Sequence, residues 1–222
     1  MLTTISTIQF TSKPLSFGTL FPIGDDNFGV VPLNFNFNYF SNIFSQLTIN
    51  TNGYVYFGTC TGCNIQFGFG NAIPALNSDL DTRTNGGIYY QNLNSQSNDF
   101  NLTKSYISKL NSSYEPTNMF RITYDNVRAY GSSSSIASFQ IILSSDAVKS
   151  YVVLKYTSCL SNSSLLTTPG LYFSSNGQQV SSLISNPCYS SNVNLVGTWV
   201  FDASVLTSNL LVKISIKLVF LS

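Results

Sequence analysis

Apolar side chains recur at every second position along much of this chain, which limits those stretches to extended strands with one buried face. Leu47 and Ile49 follow this pattern before the dipeptide Asn52-Gly53. Val55 and Phe57 follow it after the dipeptide. Asn-Gly between two alternating runs is the strongest short signal of a β-hairpin. The sequence therefore predicts a hairpin here, closed by a type I′ turn.

A second hairpin is predicted where two further alternating runs flank the polar connection SSDAVK. The residues expected to face one another across it are Phe139, Ile141 and Leu143 on one run and Tyr151, Val153 and Lys155 on the other. Residues 120–124 and 199–201 alternate in the same way. Phe35 and Phe37 are placed on one face of a further run, where burial would stabilise the fold by roughly 1.5–3 kcal/mol per ring.

No segment shows sustained apolar periodicity of 3.6 residues, and the abundance of Ser, Asn, Gly and Thr disfavours long helices. We therefore predict an all-β fold, a two-sheet antiparallel β-sandwich. Two polar stretches, residues 92–113 and 158–164, interrupt the strand pattern. Both are predicted to be surface loops.

Composition excludes several classes of function. Charged residues make up only 9% of the 222 residues, and the chain contains no His. Ser-His-Asp triads, Cys-His dyads and His-based zinc sites are thereby excluded. The ten Lys and Arg residues are scattered singly and the net charge is +1, so no basic surface for nucleic acid is expected. The sequence predicts no cofactor and neither DNA nor RNA as a partner.

Asp79 and Asp81 form a candidate calcium site. They would lie on one side of a strand, and with Asp25 or Asp26 they could supply oxygen ligands to Ca²⁺. The alternative is that Asp81 pairs with Arg83 or caps the Gly-Gly turn that follows. The sequence has no EF-hand spacing and only one Glu, which favours the alternative and predicts no bound metal.

The same two carboxylates could be offered as glycosidase acids, which lie about 5–10 Å apart. No motif for a further acid, base or nucleophile accompanies them, so the sequence predicts no enzymatic activity.

Four cysteines indicate disulfide bonds in an oxidising compartment. Cys60 and Cys63 have the spacing of zinc ligands or of a thiol-exchange motif. Cys159 and Cys188 do not form a second such motif, and no helix pattern follows Cys63. Of three possible connectivities, we expect Cys60 to pair with Cys63 and Cys159 with Cys188.

Three matches to the N-glycosylation sequon begin at Asn101, Asn111 and Asn162. All three fall in the stretches predicted to be loops, which is where glycans attach to secreted proteins.

Several segments, in this order, resemble the extracellular NIDO domain of nidogen/entactin, the tectorins and some membrane-bound mucins. The matching segments are LFPIGDD from Leu20, NTNG at residues 50–53, DLDTR at 79–83, GIYY at 87–90, the run around 139–151, and the closing strand at 191–201. The resemblance covers residues 20–202. Where the family usually has Trp, this chain has Asn77 or Ser78 before Asp79, and Tyr124 in the next such strand.

The resemblance implies a non-catalytic module of a secreted or cell-surface protein. Such a module contributes to cell–matrix adhesion by contacting extracellular-matrix or cell-surface proteins. An alternative is a carbohydrate-binding module, in which exposed Tyr and Asn side chains on one sheet face stack on glycans. Its candidate rings lie in YFSNIF, from Tyr39, and in IYYQN, from Ile88. A hydrolase is the third possibility, which the lack of His disfavours.

The chain is predicted to comprise an irregular N-terminal segment at 1–19, a NIDO-like sandwich at 20–202 and a C-terminal extension at 203–222. The first residues lack the apolar run of about 7–15 residues that marks a secretory signal, so the chain is expected to be a fragment. Lys213 and Lys217 interrupt the apolar tail, which falls short of the ~18 apolar residues that span a bilayer. No membrane span is predicted, and the extension is expected to be a strand or a linker.

Overall fold

The computed structural model describes residues 18–59, 71–160, 169–175 and 178–205. In these residues the chain forms thirteen strands and one helix. They are β1 (Thr19–Leu20), β2 (Phe28–Tyr39), β3 (Asn42–Asn50), β4 (Tyr54–Phe57), β5 (Ala72–Pro74), β6 (Leu80–Asp81), β7 (Gly87–Asn92), α1 (Asn98–Ile107), β8 (Asn118–Ala129), β9 (Ile136–Ser145), β10 (Ser150–Ser158), β11 (Gly170–Ser175), β12 (Gln178–Leu183) and β13 (Thr198–Asp202).

The strands form two antiparallel sheets. The first sheet has the order β1-β7-β8-β9-β10-β13, with β6 also paired to β8, and the second has the order β12-β11-β5-β4-β3-β2. One continuous core contains side chains from both sheets, including Phe37, Val55, Phe139 and Leu154. The predicted two-sheet antiparallel β-sandwich is confirmed.

Aromatic rings fill the core, and tyrosine hydroxyls cross it. The rings of Tyr124 and Phe139 stack with their centroids 4.3 Å apart. The Tyr124 hydroxyl, from the first sheet, donates to the Asn50 carbonyl of the second sheet at 2.6 Å. The Tyr156 hydroxyl donates in the same way to the Ala75 carbonyl at 2.5 Å. Each tyrosine thus buries a large apolar ring and still satisfies its polar end.

The first hairpin is present, but its turn differs from the prediction. Asn50 pairs with Tyr54, so the connection has three residues, of which only Gly53 has a positive φ, at 83°. A type I′ turn needs positive φ at both central residues, so that prediction is wrong. Three-residue hairpin loops commonly end in one left-handed residue, usually Gly, and Asn52 is thereby left free to use its side chain elsewhere.

The second hairpin is also present, but the residues of β10 that face the core lie one position away from those predicted. The core pairs are Phe139 with Tyr156, Ile141 with Leu154 and Leu143 with Val152. Tyr151 and Val153 instead point to the opposite side of the sheet, where they join a second apolar cluster. Both faces of these strands are buried, so alternation alone could not decide which set of side chains faced the other sheet.

A helix lies where the sequence predicted the loop at 92–113, and that prediction is wrong. Ser97 caps the helix α1 by accepting a hydrogen bond from the Phe100 amide. Phe100, Tyr106 and Ile107 pack with Met119 and Ile142 on the outer side of the first sheet. The helix has only ten residues, several of them weak helix formers. Burial of one face, rather than propensity, stabilises it. Most of the other predicted loop, 158–164, lies outside the described residues.

Backbone contacts with the sandwich continue past Asp202. The Phe40 amide donates to the Ala203 carbonyl at 2.6 Å, and the Ser41 amide donates to the Ser204 carbonyl at 3.0 Å. The Ser150 amide donates to the Ser204 hydroxyl at 2.8 Å. Residues 203–204 are therefore bound at the end of β2.

We expect Gly53→Ala to destabilise the domain more than Gly131→Ala. Both glycines have positive φ, 83° and 68°, so each substitution adds similar backbone strain of about 1 kcal/mol. A Cβ at Gly53 would lie 3.1 Å from Leu76 Cβ and 3.3 Å from the Phe139 ring, whereas one at Gly131 meets nothing within 4 Å. Urea unfolding should show an extra loss of roughly 1–2 kcal/mol for Gly53→Ala. Equal losses in the two variants would show that the turn is not packed as described.

Candidate functional site

Three segments that are distant in sequence meet at one end of the sandwich. They are the turn at 51–53, the residues 77–83 and the residues 24–27. The residues of opposite charge gathered there are Asp25, Asp26, Asp79, Asp81 and Arg83, which we call the Asp-Arg cluster. It includes all four candidate calcium ligands.

Asn52 holds these segments together. Its side chain is fully buried; its Nδ2 donates to Asp26 Oδ1 at 2.7 Å, and its Oδ1 accepts from the Leu80 amide at 3.0 Å. Its own carbonyl accepts from the Ser78 amide at 3.1 Å. A buried amide with both ends bonded fixes the positions of its partners, so the turn determines where the carboxylates lie.

Thr82 fixes the N-terminal segment from the other side. Its hydroxyl accepts from the Gly24 amide at 2.8 Å and donates to the Gly24 carbonyl at 2.9 Å. The Thr82 amide also donates to the Gly24 carbonyl at 3.0 Å. Hydrogen bonds therefore hold residues 24–26 in the cluster.

Arg83 neutralises two of the carboxylates. Its Nε and one terminal nitrogen donate to the two oxygens of Asp81, both at 2.9 Å, and that nitrogen also lies 2.8 Å from Asp25 Oδ2. The guanidinium lies over the ring of Tyr130, 5.9 Å from its centroid. The hydrogen bonds from Arg83 lower the pKa of Asp81 below its ordinary value. The structure thus forms the Asp81–Arg83 pair that the sequence analysis gave as the alternative to a metal.

Asp79 instead turns toward Asp25 and Asp26. One oxygen from each of these three carboxylates lies within 4.8 Å of the others. Burial raises the pKa of Asp79, and the neighbouring Asp25 and Asp26 raise it further. Burial also raises the pKa of Asp25, although Arg83 partly offsets this. The carboxylates are held closer than their mutual repulsion favours.

The calcium hypothesis therefore concerns Asp79 with Asp25 and Asp26, and Asp81 is the least available of the four. Carboxylate oxygens are the ligands that Ca²⁺ prefers, but it takes 6–8 of them. Asp26 is already bonded to Asn52 and Asp25 to Arg83. As glycosidase acids, the pair Asp79 and Asp81 is equally constrained, because both oxygens of Asp81 are engaged by Arg83.

The cysteines fall into two groups. Cys159 and Cys188 form a disulfide with their Cα atoms 6.1 Å apart, the pairing that the sequence predicts. On the chain-entropy argument, closing this loop contributes about 3–4 kcal/mol. Cys60 and Cys63 lie outside the described residues, so their pairing stays a prediction.

The sequons lie in different surroundings. Asn101 is exposed on α1. Asn111 is half-buried, and its Nδ2, the atom to which a glycan would attach, donates to the Tyr151 hydroxyl at 2.9 Å. Asn162 lies outside the described residues. The structure thus favours Asn101 over Asn111 as a glycan site.

Two of the five rings proposed for sugar stacking are buried and three are half-buried. Tyr39 and Phe40 belong to the core, and the Tyr39 hydroxyl donates to the Tyr172 carbonyl at 2.8 Å. Tyr90 packs against Phe120, with ring centroids 6.1 Å apart. Phe44 and Tyr90 pack against the core, whereas half-buried Tyr89 lies on the outer side of the first sheet.

Sequence reasoning missed the roles of Asn52, Thr82 and Tyr130 in the Asp-Arg cluster. The role of Asn52 was missed because Asn52-Gly53 was predicted to be a two-residue turn, which would have used Asn52 as a turn residue. Nothing local marks the other two, since their partners are more than 40 residues away in sequence. Tyr124, which replaces a Trp of the family pattern, is a core residue, so its surroundings are those of the interior and not of a surface patch.

The sequence profile of the nidogen-like domain (NIDO) matches residues 45–204, which is more than half of the chain. The chain belongs to the nidogen-like domain family, whose members are non-enzymatic extracellular modules. No curated protein and no solved structure gives a significant match. Among the described residues, no helix is long and apolar enough to cross a membrane.

We expect Asp79→Asn and Asp81→Asn to change stability in opposite directions at pH 7 in EDTA. Asp79→Asn removes repulsion and should raise the melting temperature. Asp81→Asn removes the charge of the pair and replaces one of the two oxygens that accept from Arg83 by an NH2 donor, so it should lower the melting temperature. The pKa of Asp81 is lowered, so its contribution is present at neutral pH and is lost as the pH falls below its ordinary value of 3.8. Differential scanning fluorimetry gives both melting temperatures.

The same measurement with added Ca²⁺ decides the calcium hypothesis. Without a calcium site, millimolar Ca²⁺ leaves the melting temperature of the unmodified protein unchanged. A rise of several degrees that Asp79→Asn abolishes would show that the carboxylates bind the cation.

Proposed function

We propose that this domain is a non-catalytic extracellular module that contributes protein–protein contacts to cell–matrix adhesion. The observation that carries the proposal is membership of the nidogen-like domain family over residues 45–204. The disulfide between Cys159 and Cys188 supports an oxidising compartment.

The arrangement of acidic side chains in the described residues supports the non-catalytic part of the proposal. The chain has no His to act as a general base. Its most strongly organised carboxylate, Asp81, is held by Arg83 and lies almost fully buried. Asp25 is paired with Arg83, and Asp79 lies against Asp25 and Asp26, with one oxygen of each within 4.8 Å of the others. These are the features of a cross-link within the fold.

We place the partner contact on the loop 184–197 between β12 and β13. Tyr189 and Val196 are 83% and 75% exposed, the greatest exposures among the large apolar side chains of the described residues except for Val148. The Gly197 amide donates to the Ser190 carbonyl at 3.0 Å, which brings the two ends of the exposed stretch together. Exposed Tyr is the kind of residue that carries binding energy at interfaces.

The loop is held rigid from several sides, which lowers the entropy lost on binding. Cys188 is fixed by its disulfide. The Ser191 hydroxyl accepts from the Val193 and Leu195 amides at 3.0 and 3.1 Å. The Asn192 side chain bonds both backbone groups of Val200. The exposed side chains therefore stand on a fixed backbone.

Glycan binding is the second candidate function, and half-exposed Tyr89 on the outer side of the first sheet is the observation that favours it. Tyr39 and Phe40 are buried, and Phe44 and Tyr90 are engaged with the core. A glycan array separates the two functions, because protein contacts through the loop 184–197 need no sugar.

Binding to a panel of purified matrix and cell-surface proteins tests the loop 184–197. We expect Tyr189→Ala and Val196→Ser each to weaken the affinity for the partner found, by about tenfold or more for Tyr189→Ala. Val148→Ser is the matched control, because Val148 is 76% exposed in the turn between β9 and β10. Biolayer interferometry gives the dissociation constants. Affinity that falls with Val148→Ser and not with the loop variants would place the contact elsewhere.

We also expect the affinity to depend only weakly on salt. The domain has ten cations and nine anions in all, so few ion pairs can form across an interface. Between 50 and 200 mM NaCl the dissociation constant should change by less than about tenfold. A larger change would mean that the contact is electrostatic and lies away from the apolar loop.

A further inference from the structure

Five side chains form a row across the outer side of the first sheet. The strand register pairs Tyr89 with Thr123, Thr123 with Gln140, Gln140 with Lys155, and Lys155 with Thr198. The residues on either side of the first four along their strands belong to the core between the sheets. These side chains therefore point away from the second sheet. We call the five residues the outer row.

The outer row is only partly covered. Thr123 and Thr198 are buried, whereas Tyr89, Gln140 and Lys155 are half-buried. The Gln140 side-chain amide donates to the Thr123 hydroxyl at 3.3 Å. Adjacent strands lie about 4.8 Å apart, so the row extends over roughly 14 Å from Tyr89 to Lys155. A short chain of sugar rings can lie along that length.

The ring of Tyr89 is held against its own strand. A Cβ at Gly87 would lie 3.1 Å from both Cε2 and the hydroxyl oxygen of Tyr89, and 3.2 Å from its Cζ. The ring therefore lies back over Gly87, in space that any other side chain at 87 would occupy. A ring fixed in this way offers its outward side as an apolar surface, with a hydroxyl at its end for hydrogen bonding.

The helix α1 borders the other end of the row. Asp99, in its first turn, accepts from Arg121 Nη1 at 2.5 Å. Lys155 Nζ donates to the Tyr106 hydroxyl at 3.0 Å and lies 5.2 Å from the centroid of that ring. The helix thus fixes the positions of two cations on the outer side of the sheet.

The charge at this end of the row is positive. Arg121 and Lys155 both interact with Asp99, so two cations face one carboxylate. Arg121 is buried, and burial lowers the pKa of Lys155. Cations that are partly removed from water gain from an added anion. The Lys155 end of the row therefore favours a negatively charged group.

We propose that the outer row binds an oligosaccharide that carries a carboxylate. One sugar ring stacks on Tyr89, Gln140 hydrogen-bonds to sugar hydroxyls, and the carboxylate lies beside Lys155. This inference rests on the second candidate function, glycan binding, to which it gives a site and a class of sugar. It is independent of protein contacts through the loop 184–197.

Two kinds of sugar supply such a carboxylate, a terminal sialic acid and a uronic acid within a chain. The probes are 3′-sialyllactose, with lactose as its neutral counterpart, and a hyaluronan tetrasaccharide, with chitotetraose as its neutral counterpart. Isothermal titration calorimetry on the full chain measures the affinities. We expect one acidic probe to bind about tenfold or more tightly than its neutral counterpart, and the probe that binds identifies the source.

Variants of the row test where the sugar lies. Tyr89→Ala and Lys155→Met should each weaken binding of the acidic probe about five- to tenfold, and Gln140→Leu should weaken it less. Lys155→Arg keeps the charge and should retain binding.

The matched controls are Tyr189→Ala and Lys149→Met, which alter an exposed Tyr and an exposed Lys elsewhere on the surface. Both should leave sugar binding unchanged. Thermal melting shows that each variant is folded.

Three results would overturn the proposal. If no acidic probe binds, the glycan function fails with it. If a probe binds and Tyr89→Ala and Lys155→Met leave its affinity unchanged, glycan binding stands but its site lies elsewhere. Equal affinity for the acidic and neutral probes would exclude the carboxylate as the recognised group.

Discussion

The two layers of this domain are joined by hydroxyl groups that cross an otherwise apolar interior. Tyr124 and Tyr156 project from the first sheet and reach backbone carbonyls of residues 50 and 75 in or beside the second. Burial raises the pKa of both hydroxyls above the ordinary tyrosine range, so they remain neutral donors. A Phe at either position would fill the same space but leave a buried carbonyl without its partner. These bonds therefore fix the offset of one sheet against the other.

The Asp-Arg cluster follows from that offset. The Asn50 carbonyl that accepts from Tyr124 lies two residues before Asn52, whose buried amide positions Asp26 and Leu80. The first sheet, the turn and the carboxylate segments are consequently one bonded unit. The residues 24–27, which lie before the stretch matched by the family profile, are part of it. Hydrogen bonds within the fold therefore hold these charges together in one place.

Period-two alternation was sufficient to predict the sandwich, because alternating residues such as Ile122 and Val55 point into the core between the two sheets. It failed where strands are buried on both sides: at Tyr151 and Val153 the apolar pattern is continuous, and the choice of face depends on α1. The helix itself was missed because Asn101, Thr103 and Ser105 are poor helix formers, and only its contact with the first sheet stabilises it.

The candidate site was predicted in part. The pairing of Asp81 with Arg83 is local and could be read from their spacing. That Asp79 lies with Asp25 and Asp26, and not with Asp81, could not be read from the sequence. It depends on Asp25 and Asp26, which are bonded to Arg83 and Asn52. The buried position of Tyr39 continues the alternation of Phe35 and Phe37, which the sequence analysis did not extend to Tyr39.

The disulfide between Cys159 and Cys188 joins the chain where it leaves β10 to where it returns toward β13, its neighbour in the first sheet. The hairpin of β11 and β12, which belongs to the second sheet, lies entirely inside the 29-residue span so closed. A mechanical pull on the two ends of the domain would pass through the sulfur atoms and bypass that hairpin. Roughly 100 Å of contour length would stay hidden from the force until the bond is reduced. A redox change could therefore set how far the domain extends under tension.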